Sequence, residues 1–160
     1  MWIKYDIIYM GETMKKFLTI AFIVLLVDRI TKILVQSFLT SKIYFIKNFF
    51  YIVFAKNTGA AFSILDGTQF LLAFIAIAAS VLIYYYVKKN NINNIGYALL
   101  FGGIIGNLID RVVYNYVIDF IGLDFFNYSF PIFNIADACI VVGAAFVILG
   151  SDKNEIKSRE

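Results

Sequence analysis

Four apolar runs, at residues 17–39, 68–87, 95–113 and 132–150, constrain this chain more than any single motif in it. A helix needs ~20 apolar residues to cross the hydrocarbon layer of a bilayer. Lipid offers no partner to a backbone amide, so spanning segments must close their own hydrogen bonds, as helices do. The sequence is 61% hydrophobic with a mean hydropathy of +0.80, against ~45–50% apolar residues in soluble domains. The expected fold is an all-α membrane protein, a single domain over residues 1–160 with four transmembrane helices.

The first run, FLTIAFIVLLVDRITKILVQSFL, follows Lys15 and Lys16 and so has the outline of a secretory signal. No small-residue cleavage site follows it and the apolar pattern resumes after Lys32, so it is read as a retained span. Residues 1–13 are mixed and carry little information, and Met10 and Met14 offer alternative starts to Met1. Residues 40–67 are rich in Ile, Tyr, Phe and Val, broken by lysines and asparagines. They read as short strands and turns, with aromatics suited to a bilayer surface.

The run at 68–87 carries no charge, and the short connection 88–94 returns the third span antiparallel to it. Residues 114–131 read as a second aromatic-rich loop, with Pro131 expected to open the fourth span. The polar tail SDKNEIKSRE is expected to fray. Lys4, Lys15, Lys16, Lys88, Lys89, Lys153, Lys157 and Arg159 fall on one side, and Lys42, Lys47 and Lys56 on the other. The positive-inside rule then puts both termini in the cytoplasm and both aromatic loops outside.

Composition also limits the chemistry. The chain has no histidine, which removes Ser-His and Cys-His nucleophiles and the HExxH zinc site. Its single cysteine, Cys139, excludes an internal disulfide and a multi-cysteine metal site and is read as a packed apolar residue. Neither metal nor cofactor is expected. The net charge of +3 forms no dense basic patch, so nucleic acid is not an expected partner.

The polar residues inside the spans collect toward the outer leaflet. Asp28, Thr31 and Lys32 are spaced i, i+3, i+4 on the first span, and Asn107, Asp110 and Arg111 repeat that spacing on the third. Asn134 and Asp137 stand i, i+3 at the outer end of the fourth. Each ionisable group costs up to ~3 kcal/mol at a helix centre, so three polar stripes in lipid must meet one another. Asp28–Lys32 and Asp110–Arg111 read as structural ion pairs, and Arg29 as facing a crevice or headgroups. Asn107 and Asn134 read as interhelical hydrogen bonders or orienting groups, Gly102 and Gly106 as packing, and Asp66 and Asp124 as solvated.

Asp119 and Asp137 remain, without a basic partner close in sequence. The segment between them closes at the outer ends of the third and fourth spans, so the two carboxyls can meet. Two carboxylates in one desolvated site cannot both ionise and tend to share a proton. The ionised member can take a proton from water while the protonated one donates to a carbonyl oxygen. This is aspartic-protease chemistry and needs neither histidine nor metal.

Five blocks occur in order: DRITK (Asp28–Lys32), NTGAAFS (Asn57–Ser63), GGIIGNLIDR (Gly102–Arg111), VIDF (Val117–Phe120) and FNIAD (Phe133–Asp137). With the four spans, they resemble the bacterial lipoprotein signal peptidases, the type II signal peptidases, over about residues 15–150. The resemblance implies an intramembrane aspartic endopeptidase of the bacterial inner membrane that removes signal peptides from prolipoproteins, cutting before a diacylglyceryl-modified cysteine. It implies Asp119 and Asp137 as catalytic residues, with Asp28, Lys32, Asn57, Gly59, Asn107, Asp110, Arg111 and Asn134 supporting them. It further implies an extracytoplasmic β-cradle fitting residues 42–65 and sensitivity to the cyclic peptide globomycin. Asn57, Gly59, Asn107, Arg111 and Asn134 would bind substrate backbone or position the dyad, while Asp28, Lys32 and Asp110 are structural. Membrane lipids and prolipoprotein signal peptides are the expected partners, and four spans suffice to enclose the site in a monomer.

Three other readings make different demands. A small transporter or channel subunit using intramembrane carboxylates needs polar residues through the full bilayer depth, which the inner halves of the last three spans lack. A Ser-Lys peptidase would use Ser63 with Lys32 or Lys56, and a non-enzymatic assembly factor would tolerate asparagine at both Asp119 and Asp137.

Overall fold

The computed structural model describes residues 2–59, 69–126 and 128–157, and the side chains of residues 11–150 within those limits. Thr68, Ser63 and Asp66 lie outside the described residues. The elements run α1 (Trp2–Phe38), β1 (Ile43–Ile46), β2 (Phe50–Asn57), α2 (Gln69–Asn90), α3 (Ile95–Tyr114), β3 (Val117–Phe125), β4 (Tyr128–Ser129) and α4 (Ile135–Lys157).

The burial pattern is inverted relative to a water-soluble protein. Phe22 is 62% exposed, Phe70 86% and Val141 68%, whereas Asp28, Lys32, Asp110 and Asn134 are fully buried. Apolar surface turned outward on helices is what a lipid solvent selects, and polar groups then take the interior. Helices α2 and α3, with mean hydropathy windows of 2.3 and 1.3, are long and apolar enough to cross a membrane. Helix α1 carries Asp28, Arg29 and Lys32 in its apolar run, and the apolar part of α4 is the shorter stretch Ile135–Gly150.

Helix α3 lies centrally, packed against the other three. Its close approach to α1 and α4 depends on lacking side chains. A Cβ on Gly102 would stand 2.7 Å from the Ala21 carbonyl oxygen, and one on Gly103 2.5 Å from that of Ala136. The helix begins at a cap, with the Asn94 side chain accepting from the Gly96 N–H at 2.7 Å. It stops at Asn115, whose φ of 64° is left-handed and whose N–H donates to the Arg111 carbonyl. Asparagine tolerates that conformation better than most residues.

The strands form one antiparallel sheet in the order β1-β2-β3-β4. Ala55 lies opposite Asp119, and Asn57 opposite Val117. Residues 114–131, expected as a loop, therefore hold a nine-residue strand interior to the sheet. Val117–Phe120 are buried on both faces, so the alternation that marks a half-exposed strand is missing there. The aromatics of this region pair, as in Tyr44–Tyr51 and Phe49–Phe125, rather than form one cluster.

Three boundaries differ from expectation. Helix α1 extends back to Trp2, and α4 continues to Lys157 instead of fraying after Gly150. Pro131 does not open the fourth helix, which begins at Ile135 behind an Asn134 cap. Residues 130–134 instead run beside β3, where the Phe120 and Ile121 N–H groups both donate to the Phe133 carbonyl.

Candidate active site

Beneath the sheet, α1 and α3 enclose a cluster of four charges. The Lys32 ammonium stands 2.9 Å from Asp28 Oδ2 and 2.9 Å from Asp110 Oδ2. Its remaining contact is a donation to Asn107 Oδ1, also at 2.9 Å. Arg29 Nη2 donates to Asp110 Oδ1 at 2.5 Å. Two acids and two bases thus cancel, which is what makes burial of charge tolerable. Both acids also hold backbone: Asp28 Oδ1, which takes no part in the ion pairs, accepts from the Ala136 N–H at 3.1 Å, and Asp110 Oδ2, beside Lys32, accepts from the Ile118 N–H at 3.1 Å. One contact fixes the start of α4, the other the start of β3. Gly106 admits the Asp28 carboxylate, since a Cβ there would meet its Oδ2 at 2.7 Å.

Asp119 and Asp137 are carried by those two anchored segments. Asn134 and Asp137 form a reciprocal cap: the Asp137 N–H donates to Asn134 Oδ1 at 2.8 Å, and the Asn134 N–H to Asp137 Oδ2 at 3.2 Å. This satisfies two otherwise unpaired amide positions at the helix entry. The capping oxygen also decides the amide's orientation, leaving Asn134 Nδ2 to donate to Asp119 Oδ1 at 2.6 Å. A single asparagine thus holds both carboxyls.

Two further amides complete the ring. Asn57 Nδ2 donates to Asp119 Oδ2 at 2.8 Å while its Oδ1 accepts from the Gly59 N–H at 3.0 Å. Asn107 Nδ2 donates to Asp137 Oδ1 at 2.7 Å. Asp119 is 2% exposed. Burial, reinforced by the neighbouring Asp137 carboxylate, raises its pKa to about 7. The Arg111 guanidinium is in electrostatic range of Asp137, Asp119 and Asp110. Its Nη1 reaches only the Asn107 carbonyl at 3.4 Å, and its buried Nε has no hydrogen-bond partner among the described residues.

Two carboxyls linked through one asparagine, one of them with its pKa raised to about 7, have the chemistry of an acid–base pair without histidine. Comparison with known proteins points the same way. A profile of the family described as signal peptidase (SPase) II matches residues 20–151. The chain belongs to the signal peptidase II family. A lipoprotein signal peptidase of Clostridium acetobutylicum is 39% identical over 144 residues, covering 83% of this chain and 94% of that protein. One of Caldanaerobacter subterraneus is 43% identical over 136 residues, covering 82% and 90%. A bacterial membrane enzyme solved by the in meso method at 2.3 Å superposes with a TM-score of 0.81 at 33% identity, over 88% of this chain and 90% of that one.

Against this family background, the sequence-expected residues fall into one connected network with a few changes of partner. Asp28–Lys32 is an ion pair as expected. Asp110 pairs with Arg29 and Lys32, not with Arg111. Adjacent helical residues point in different directions, so the sequence neighbour was the wrong partner. Of the two surroundings expected for Arg29, crevice or headgroups, the structure shows the polar crevice, with Arg29 joined to the buried cluster. The clue was arithmetic, since Asp28 and Asp110 together need two cations and Lys32 is only one. Thr31 turns back to the Val27 and Asp28 carbonyls and stays out of the network. Asp124 sits on β3, 3.8 Å from Lys42, rather than in a solvated loop. Cys139 is half-buried on α4.

Proposed function

We propose that Asp119 and Asp137 are the catalytic dyad with which this chain, an intramembrane aspartic signal peptidase, processes prolipoproteins. The observation that carries the assignment is Asn134, whose side chain and backbone together engage both carboxyls. With one proton between them, the ionised carboxyl takes a proton from water as its oxygen attacks the scissile carbonyl carbon, while the protonated carboxyl donates to the carbonyl oxygen. In breakdown of the resulting diol, a hydroxyl proton returns to the donor and the proton gained from water passes to the departing amine as the C–N bond breaks.

The substrate's signal helix lies in lipid beside the bundle, and the segment to be cut leaves the helix to run extended along the sheet. Asn57 and Arg111 face that segment and bind its backbone. The lysine distribution supports cytoplasmic termini, four spans and a site near the outer leaflet, with the sheet as an extracytoplasmic cradle and its aromatics at the bilayer surface. Acyl chains of a diacylglyceryl-cysteine just after the cut remain in lipid against the apolar helix faces.

Incubating the purified protein with a diacylglyceryl-modified prolipoprotein and its unmodified counterpart tests this reading. Mass spectrometry should show a new amino terminus at the lipid-bearing cysteine, formed only from the modified substrate. Cleavage elsewhere, or equal cleavage of both, contradicts it.

A further inference from the structure

We propose that Lys32, acting through Asn107, and the first turn of α4 fix Asp137 as the ionised member of the dyad and leave the single proton on Asp119. This rests on the dyad reading above and assigns the roles within it, making Asp137 the base, Asp119 the acid and Lys32 a positioning residue.

Charge closure comes first. The buried polar core holds Asp28, Asp110, Asp119 and Asp137 against Arg29, Lys32 and Arg111. Four acids and three bases leave one excess negative charge, which a single proton cancels; two protons or none leave the core charged at high cost.

The position of that proton follows from hydrogen-bond chemistry. Lysine only donates, so the Asn107 atom 2.9 Å from Lys32 Nζ must be the oxygen. Asn107 is therefore obliged to present its N–H₂ to Asp137 Oδ1, polarised by an ammonium on the far side of the amide. Asp137 Oδ2 accepts a backbone N–H at the start of α4, where the helix dipole also favours negative charge. Asp119 also accepts two amide N–H groups, from Asn57 and Asn134, but neither donor is backed by a cation in this way. It stands on a strand between buried Ile118 and Phe120, and both of its hydrogen bonds come from side-chain amides, whereas Asp137 also accepts a backbone N–H at a helix start. Its elevation to about 7 agrees with a retained proton.

The remaining charged groups around the pair do not reverse this. From α1 come Asp28, Arg29 and Lys32, and from α3 Asp110 and Arg111, whose field reaches both carboxyls. From β2 the nearest cation, Lys56, sits over the Tyr116 ring, 4.9 Å from its centroid.

Infrared spectroscopy of the purified protein just below neutral pH reads the proton directly, through the C=O stretch of a protonated carboxyl. Removing a hydrogen-bond donor shifts that band only if the donor serves the carboxyl that carries the proton. Asn57→Ala should shift the band, because Asn57 donates to Asp119, and Asn107→Ala should leave its position unchanged. An unshifted band in Asn57→Ala overturns the assignment, and this holds even if Asn107→Ala fails to fold. Absence of any such band in the wild type would instead overturn the shared-proton dyad itself. In kinetics, Asn107→Ala should lower kcat with KM kept and move the acidic limb of the profile up by roughly one pH unit or more, the usual effect of losing a cation's support. Lys32→Arg, which keeps the charge, should move it far less. An unmoved limb in Asn107→Ala would leave Asn107 and Lys32 structural and overturn the relay.

Discussion

Replacement of Asn134 separates the two tasks that the account gives it. The side chain caps α4 through Oδ1 and holds Asp119 through Nδ2. Serine at this position retains a capping oxygen but has no group to reach Asp119, whereas alanine has neither. Loss of a cap costs about 1 kcal/mol, and a buried acceptor stripped of its donor costs about 1–3 kcal/mol. Asn134→Ala should therefore lose about 3 kcal/mol and Asn134→Ser about 2. At roughly 2–4 °C per kcal/mol for a chain of this size, thermal unfolding in detergent should fall by about 10 °C and about 6 °C. Cleavage of lipid-modified substrate should drop at least ~100-fold in both, because a misplaced acid forfeits its acid–base contribution. Full activity in Asn134→Ser would refute the claim that this amide orients the dyad. Equal stability of the two variants would refute the cap.

Other outcomes follow from the same geometry. Asp119 holds its proton to about pH 7 in the folded state but only to ~4 when unfolded. Its contribution to stability is thus fully present below about pH 4, is lost as pH rises to about 7, and changes no further above that. Unfolding followed across this range should show the decline in the wild type and not in Asp119→Asn, and activity should fall above about pH 7. Arg29→Met removes half of the cation complement of Asp110 and leaves a buried negative charge unpaired. It should cost about 3–5 kcal/mol, read as loss of folded protein in size-exclusion profiles. Gly122→Ala places a methyl carbon 2.1 Å from the Tyr51 ring, which is buried and cannot swing away. Overpacking of about 1–3 kcal/mol should lower the melting midpoint, with partial recovery when Tyr51→Leu is added.

The helices and the convergence of Asp119 and Asp137 on one hydrogen-bond network were legible in sequence for one reason: in lipid, a polar residue is expensive enough to be informative. Asp28, Lys32, Asn107, Asp110, Asn134 and Asp137 stood out against apolar runs and converge as their helical spacing implied. Strand β3 was not legible as a strand, because burial on both faces at Val117–Phe120 erased the alternation that marks one. The true start of α4 was hidden by Pro131, a common helix opener, while the deciding signal was the Asn134–Asp137 spacing of a reciprocal cap. Arg29 escaped because pairing was sought along each helix, whereas Asp110 finds it across the α1–α3 interface. Tertiary contacts of that kind leave no local periodicity to read.

On the proposed mechanism, Asp119 and Asp137 act together on one water, so neither can be spared. Purified protein carrying Asp119→Asn or Asp137→Asn, assayed with a diacylglyceryl-modified prolipoprotein, tests it most directly. Both variants should remain folded by thermal unfolding and release no signal peptide; substantial cleavage by either would remove that residue from the chemistry and contradict the account.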